Sequence, residues 1–130
     1  CGDTLFSAGC GRLFEGTPAQ MHASLSHLAA LPGHTRVCCT HEYTLSNLRF
    51  ALAVEPGNAE LVAYHARCEA ARARGEPTLP GSLHTERAIN PFLRTDQAAV
   101  VQAAQTHAPG SGADPVSVFT TLREWKNVFR

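Results

Sequence analysis

The chain has 130 residues, 44% of them hydrophobic, enough for one compact domain or for a piece of a larger one. Eleven basic and eleven acidic residues cancel, with no basic stripe, which argues against a dedicated nucleic-acid binder, and no apolar run reaches the roughly 18 residues of a membrane span. Charged residues make up only 17%, against about 25% in ordinary soluble domains, which composition alone reads as an ordinary alanine-rich protein and which also fits a chain whose surface is partly covered by other sequence.

The opening Cys1-Gly2-Asp3-Thr4-Leu5-Phe6 reads like the interior of a protein, and a fragment of a longer chain is expected. A short strand is expected over Thr4 to Ser7, followed by a loop rich in glycine (Gly9, Gly11, Gly16). Thr17-Pro18 supplies a cap and a first-turn proline for a helix, and Met21, Leu25, Leu28 and Leu31 form its apolar stripe up to Pro32-Gly33. Thr35 to Cys39 reads as a short, mostly buried strand, with Cys38 and Cys39 as small hydrophobes, ending at Thr40-His41-Glu42-Tyr43. Strand, helix, strand suggests an α/β layer, and polar residues just beyond a strand end are a common location for chemistry.

Helical patterns follow. Leu45, Leu48 and Leu52 mark one helix ending near Glu55-Pro56-Gly57, and Asn58 caps the next, to about Arg74. Residues 75–91, with Pro77, Pro80 and Pro91, read as an ordered connecting loop. Thr95 is the expected cap of a helix to about Thr106. Asp114-Pro115 opens a last helix to about Phe129. The expected organisation is thus the end of an α/β domain over 1–43 and a helical domain over 44–130. The five cysteines include no CxxC pair, which favours reduced thiols and a cytoplasmic setting over a disulfide framework.

Asp3 lies between a strand and a glycine, where a carboxylate can cap a turn or bridge two cations. His41 can be a structural histidine or a metal ligand. Two such ligands do not complete a catalytic metal site, which usually takes three protein donors per metal. Gly9-Cys10-Gly11-Arg12 is either a tight loop or an anion-binding backbone with an added cation. Arg123 and Lys126, three apart on the last helix, share a side of it, as a solvated face or as a second basic pair.

Taken in order, Gly2-Asp3-Thr4-Leu5-Phe6, Ala8-Gly9-Cys10-Gly11-Arg12-Leu13-Phe14-Glu15-Gly16-Thr17, His41-Glu42-Tyr43-Thr44 with Asn47 and Phe50, Val54-Glu55-Pro56-Gly57-Asn58, Asn90-Pro91-Phe92 and Arg123-Glu124-Trp125-Lys126 resemble the glyoxalase II family, the hydroxyacylglutathione hydrolases. The resemblance implies the C-terminal portion of a metallo-β-lactamase αββα sandwich followed by a small helical domain. It implies hydrolysis of S-D-lactoylglutathione to glutathione and D-lactate by a metal-bound hydroxide, with no protein nucleophile. Two divalent metal ions are implied, zinc first, with iron or manganese as alternatives. Asp3 would bridge them and His41 would bind one. The remaining ligands would come from an upstream HxHxDH segment, absent from these residues, and a further upstream histidine, so the upstream half is needed and the chain alone is expected to be inactive.

By the same resemblance, Arg12, Leu13, Phe14, His41, Glu42, Tyr43, Arg123 and Lys126 would form the glutathione pocket. Phe14 stands where some members have tyrosine, so a hydroxyl contact is lost there. Two alternatives remain at this point. One is another metallo-β-lactamase-fold enzyme, such as a one-iron persulfide dioxygenase. The other is a non-catalytic glutathione-binding fragment.

Overall fold

Local capping signals place most of the helices. The computed structural model describes residues 4–12, 16–39 and 42–129. Helix α1 (Pro18–Ala29) begins with a reciprocal box: Gln20 N–H donates to Thr17 Oγ1 at 3.2 Å, and Thr17 N–H donates to Gln20 Oε1 at 2.8 Å. Its stripe turns Leu25 into the core, with Met21 and Leu28 packed against it. Leu31 falls beyond the helix end and is exposed.

Strands β1 (Leu5–Phe6) and β2 (Gly9–Cys10) form an antiparallel hairpin, Leu5 opposite Cys10 and Phe6 opposite Gly9. Strand β3 (Arg36–Val37) pairs antiparallel with a fourth strand, β4 (Gly81–Ser82). The strand expected through Cys39 is therefore shorter. Its partner turns into a helix at Leu83, whose N–H donates to Thr35 O at 2.9 Å, so the ladder with β4 holds Arg36 and Val37, and Cys39 forms an isolated bridge beyond it. Cys38 is exposed and Cys39 half-buried, not the buried pair expected. The two ladders belong to separate two-stranded sheets. The described residues are mostly helical, and they do not display a sandwich.

Helices α2 (Thr44–Val54) and α3 (Ala59–Ala73) match the expected pair. Asn58 caps α3 at Leu61 N–H (3.2 Å) and also donates to Ala88 O at 2.8 Å. The expected 75–91 loop is corrected here: it holds β4 and a two-turn helix, α4 (Leu83–Ile89), and runs into a 3₁₀ turn at Pro91–Leu93. Ser82 caps α4 through Thr85 N–H, and the prolines bracket the helix instead of breaking it. Seven residues are too few to show an apolar period.

The expected Thr95 cap is also corrected. Helix α5 (Ala98–His107) has Gln97 at its N-cap, and Thr95 is buried with its hydroxyl 3.3 Å from His22 Nε2. Helix α6 (Pro115–Val128) is capped by Asp114 as expected, through Ser117 N–H at 3.1 Å.

The main core is aromatic. Phe50 stacks on Phe92 at 6.0 Å and meets Trp125 and Phe129 edge-on at 5.3 and 5.4 Å. Phe92 in turn meets Phe119 at 5.6 Å. Edge-to-face aromatic pairs contribute about 0.5–1.5 kcal/mol each beyond their buried area. This core joins α2, the Pro91–Leu93 turn and α6, and it lies beneath the hairpin: Leu5 and Cys10 belong to the same buried cluster.

Candidate functional site

The β1–β2 hairpin is the platform of the site. Its two-residue turn, Ser7-Ala8, is buried, and Ala8 takes the left-handed conformation at φ 59°. A non-glycine residue adopts that conformation at some cost and needs surroundings that hold it. Side chains from two helices do so. Ala8 N–H donates to Glu86 Oε2 at 2.9 Å. Asn90 Nδ2 donates to Gly9 O at 3.0 Å and Phe6 O at 3.3 Å. Asn47 Nδ2 donates to Ser7 O at 3.1 Å. Gly9 is glycine because of that last contact: a Cβ there would sit 2.8 Å from the Asn47 amide carbon.

Beyond the turn, the hairpin meets helix α6. Arg123 is buried, and its Nη1 donates to Cys10 O at 2.8 Å and Gly11 O at 3.2 Å, with Cys10 Sγ at 3.4 Å. Its Nη2 donates to Asn127 Oδ1 at 3.2 Å, and the guanidinium lies 5.4 Å over the Phe92 ring. Arg123 Nε is buried without a hydrogen-bond partner among the described residues. Burial pushes the Cys10 thiol up to about 11 despite Arg123, so it is a neutral thiol near pH 7.

Lys126 is half-buried, with Nζ 5.8 Å over the Phe50 ring. Burial, then the Arg123 and Arg12 charges, hold its ammonium below the ordinary lysine range. Arg12 is exposed on the loop after β2. Arg12, Arg123 and Lys126 thus converge on one end of the hairpin. No acidic side chain among the described residues forms an ion pair with them. Three cations, one a partly desolvated lysine, make a place where a carboxylate gains more than it would in water.

Glu42 and Tyr43 do other work in this structure. The Glu42 carboxylate accepts from Thr44 Oγ1 at 2.8 Å, from Thr78 N–H at 3.1 Å and from Thr78 Oγ1. Partial burial raises its pKa, but the Thr78 and Thr44 bonds outweigh that, and the group stays below the ordinary carboxylate value. It ties the start of α2 to the segment before β4. Tyr43 is 52% exposed, with its ring 5.5 Å from that of Phe6.

Asp3, Leu13, Phe14 and His41 lie outside the described residues. Among the described residues no group of three His, Cys, Asp or Glu side chains could hold a metal ion. Asp3 and His41, the two ligands the family resemblance implies, offer oxygen and imidazole donors of the kind a divalent cation takes, and two donors fall short of a complete coordination sphere. No described helix is long and apolar enough to cross a membrane.

The sequence pattern did not bring out Glu86. Leu83, Glu86 and Ile89 follow at three-residue spacing, and the outer two are apolar, which puts Glu86 on the buried face of α4. That signal was hidden while the segment read as loop. Asn47 and Asn90 stood in the matching stretches, but nothing in the sequence linked them to the turn.

The helical region thus sets Arg12, Arg123 and Lys126 around one end of a buried hairpin. The family described as hydroxyacylglutathione hydrolase C-terminus matches residues 42–129. The chain is 65% identical over 129 residues to a hydroxyacylglutathione hydrolase of Albidiferax ferrireducens, covering 99% of this chain and 50% of that protein. It is 62% identical over 130 residues to the hydroxyacylglutathione hydrolase of Cupriavidus taiwanensis (100% and 48%) and 57% identical over 129 residues to that of Pseudomonas aeruginosa (99% and 50%). The chain belongs to the hydroxyacylglutathione hydrolase family, and it spans about half the length of the curated relatives it matches.

Proposed function

We propose that this chain is the substrate-binding half of a glyoxalase II, acting on S-D-lactoylglutathione to give glutathione and D-lactate. The observation that carries the reading is the convergence of Arg12, Arg123 and Lys126 on the hairpin without an ion-paired carboxylate among the described residues. Glutathione brings two carboxylates on a flexible backbone, and such a ligand gains from fixed cations and exposed amides. The family membership supports the same substrate class.

In this reading Lys126 and Arg12 meet the carboxylates. Arg123 supplies positive charge from below and keeps the Cys10 and Gly11 backbone in place. Tyr43, with Leu13 and Phe14 by the family resemblance, belongs to the same glutathione pocket. Glu42 fixes the start of α2 beside His41 through Thr44 and Thr78. Asp3 and His41 belong to a dinuclear site whose other ligands come from the upstream half, with residues 1–43 closing the metallo-β-lactamase domain and 44–130 forming the helical one. When bound, two divalent cations, zinc or else iron or manganese, would supply an activated water and polarise the thioester carbonyl. No cysteine of the chain needs to act as nucleophile. The cytoplasmic setting rests on the reduced-cysteine pattern.

The test is calorimetric binding of glutathione to the complete protein. Micromolar to millimolar binding that Lys126→Ala weakens about tenfold is expected. Binding that is absent, or indifferent to Lys126 and Arg12, would remove the anion site from the account.

A further inference from the structure

A carboxylate buried without a cation is an expensive way to satisfy a backbone amide. Glu86 has no exposed surface, and no ion pair to it occurs among the described residues. Its Oε2 accepts from Ala8 N–H at 2.9 Å and from Asn90 Nδ2 at 3.2 Å, while Oε1 is buried with no hydrogen-bond partner among the described residues. The titratable groups facing it are Tyr64 and Cys68 on α3 and Cys39 after β3, all neutral near pH 7 because burial raises each of them. Burial likewise pushes Glu86 up to about 7, with Ala8 N–H, Ser7 and Asn90 pulling the other way. Polar groups kept in a core at a cost to stability tend to mark sites under functional constraint.

What Glu86 holds is the left-handed Ala8. From Ala8 the chain runs into Gly9-Cys10-Gly11, whose carbonyls accept from Asn90 and Arg123, and then to Arg12, whose charge acts on Lys126. The helical region therefore builds the hairpin as well as carrying Lys126.

We propose that Glu86, assisted by Asn90, is a positioning residue for the hydrolysis of the glutathione thioester. By holding Ala8 N–H it fixes the turn and register of the hairpin whose second strand leads through Cys10 and Gly11, the carbonyls that Arg123 holds, to Arg12. The reaction named here rests on the functional reading above; the latch itself does not. Glu86→Leu removes the acceptor and leaves Ala8 N–H buried and unpaired. Glu86→Gln keeps an acceptor oxygen at the same place. Ala8→Gly removes the cost of the positive φ, so the turn holds its shape with less help.

The experiment compares the complete protein with Glu86→Gln, Glu86→Leu and the double variant Glu86→Leu/Ala8→Gly. It reads kcat and KM for S-lactoylglutathione and amide exchange over residues 4–12. Glu86→Leu should raise KM about tenfold with kcat within about twofold, and speed exchange over 4–12 about tenfold. Glu86→Gln should keep kcat and KM within about twofold of wild type and exchange over 4–12 no faster than wild type, and the added Ala8→Gly should restore much of the KM. A KM for Glu86→Leu equal to wild type would overturn the proposal, as would a Glu86→Gln variant as impaired as Glu86→Leu. If Glu86→Leu does not fold, Glu86→Gln still decides: a tenfold rise in its KM would count against positioning through an acceptor oxygen, and an unchanged KM with exchange over 4–12 no faster than wild type would support it. If the wild-type protein hydrolyses no thioester, the functional reading fails, while the exchange comparison still accepts or rejects the latch.

Discussion

Arg123 Nη1 donates to Cys10 O at 2.8 Å, a bond spanning 113 residues that joins the last helix to the first hairpin. The same guanidinium reaches Gly11 O and rests over Phe92. Arg123 is therefore a structural fork as much as a charge, and it differs from Lys126 one turn away.

That difference separates two variants. Arg123→Ala should cost about 2–4 kcal/mol of stability, because charged hydrogen bonds are lost and two buried carbonyls go unpaired. It should also raise KM, since the loop it holds carries Arg12. Lys126→Ala should leave stability within about 0.5 kcal/mol and raise KM about tenfold with kcat kept. Urea unfolding beside steady-state kinetics checks both. Equal stability losses in the two variants would contradict the division of labour.

Lys126 also sets a pH dependence. Burial, then Arg123 and Arg12, depress its pKa below the ordinary 10.5, so it loses its charge at a lower pH than a surface lysine. Glutathione binding should weaken as pH rises through that depressed value. Lys126→Arg, which stays protonated, should show no such alkaline loss of its own. Binding isotherms from pH 7 upward test this, and identical profiles for the two proteins would count against Lys126 as the titrating cation.

Much of this was legible in the sequence, for definite reasons. Thr17-Pro18, Asn58 and Asp114-Pro115 are capping signals that act within one turn, so the starts of α1, α3 and α6 could be read directly. Helix α4 could not: it has seven residues between two prolines, and its stability comes from burying Leu83, Glu86 and Ile89 against distant elements. Thr95 carries a cap residue's chemistry, yet it points to His22, a contact set by the packing of α1. The cations were visible as candidates, but the sequence could not tell that Arg123 turns inward while Lys126 remains half-exposed. Asn47 and Asn90 matched the family stretches, but their grip on Ser7, Phe6 and Gly9 exists only once α2 and α4 pack on the hairpin.

Glu86 should make stability fall with pH. Its pKa lies at about 7 in the folded chain against an ordinary 4.5, so the folded state binds more protons between those values. By linkage, stability decreases as pH rises from 4.5 to about 7, and the full cost is present above that. Glu86→Gln does not titrate. It should be more stable than wild type at pH 8 by up to about 3 kcal/mol, and the gain should largely vanish toward pH 4.5. Urea midpoints at pH 5 and pH 8 check the sign; a gain of equal size at both would contradict a neutralised buried acid.

Asp3 is the proposed bridging ligand. In the complete protein, Asp3→Ala should lower bound metal from two ions to one or none, measured by elemental analysis after extensive dialysis. Unchanged stoichiometry would remove Asp3 from the metal site.

The most direct measurement is hydrolysis of S-D-lactoylglutathione by these 130 residues alone and by the same chain extended upstream, each supplied with zinc and with iron. Activity confined to the extended chain is the result expected of a substrate-binding half whose metal site is completed from upstream. Comparable activity in the 130 residues alone would contradict that account and move the catalytic ligands to residues assigned here to structure.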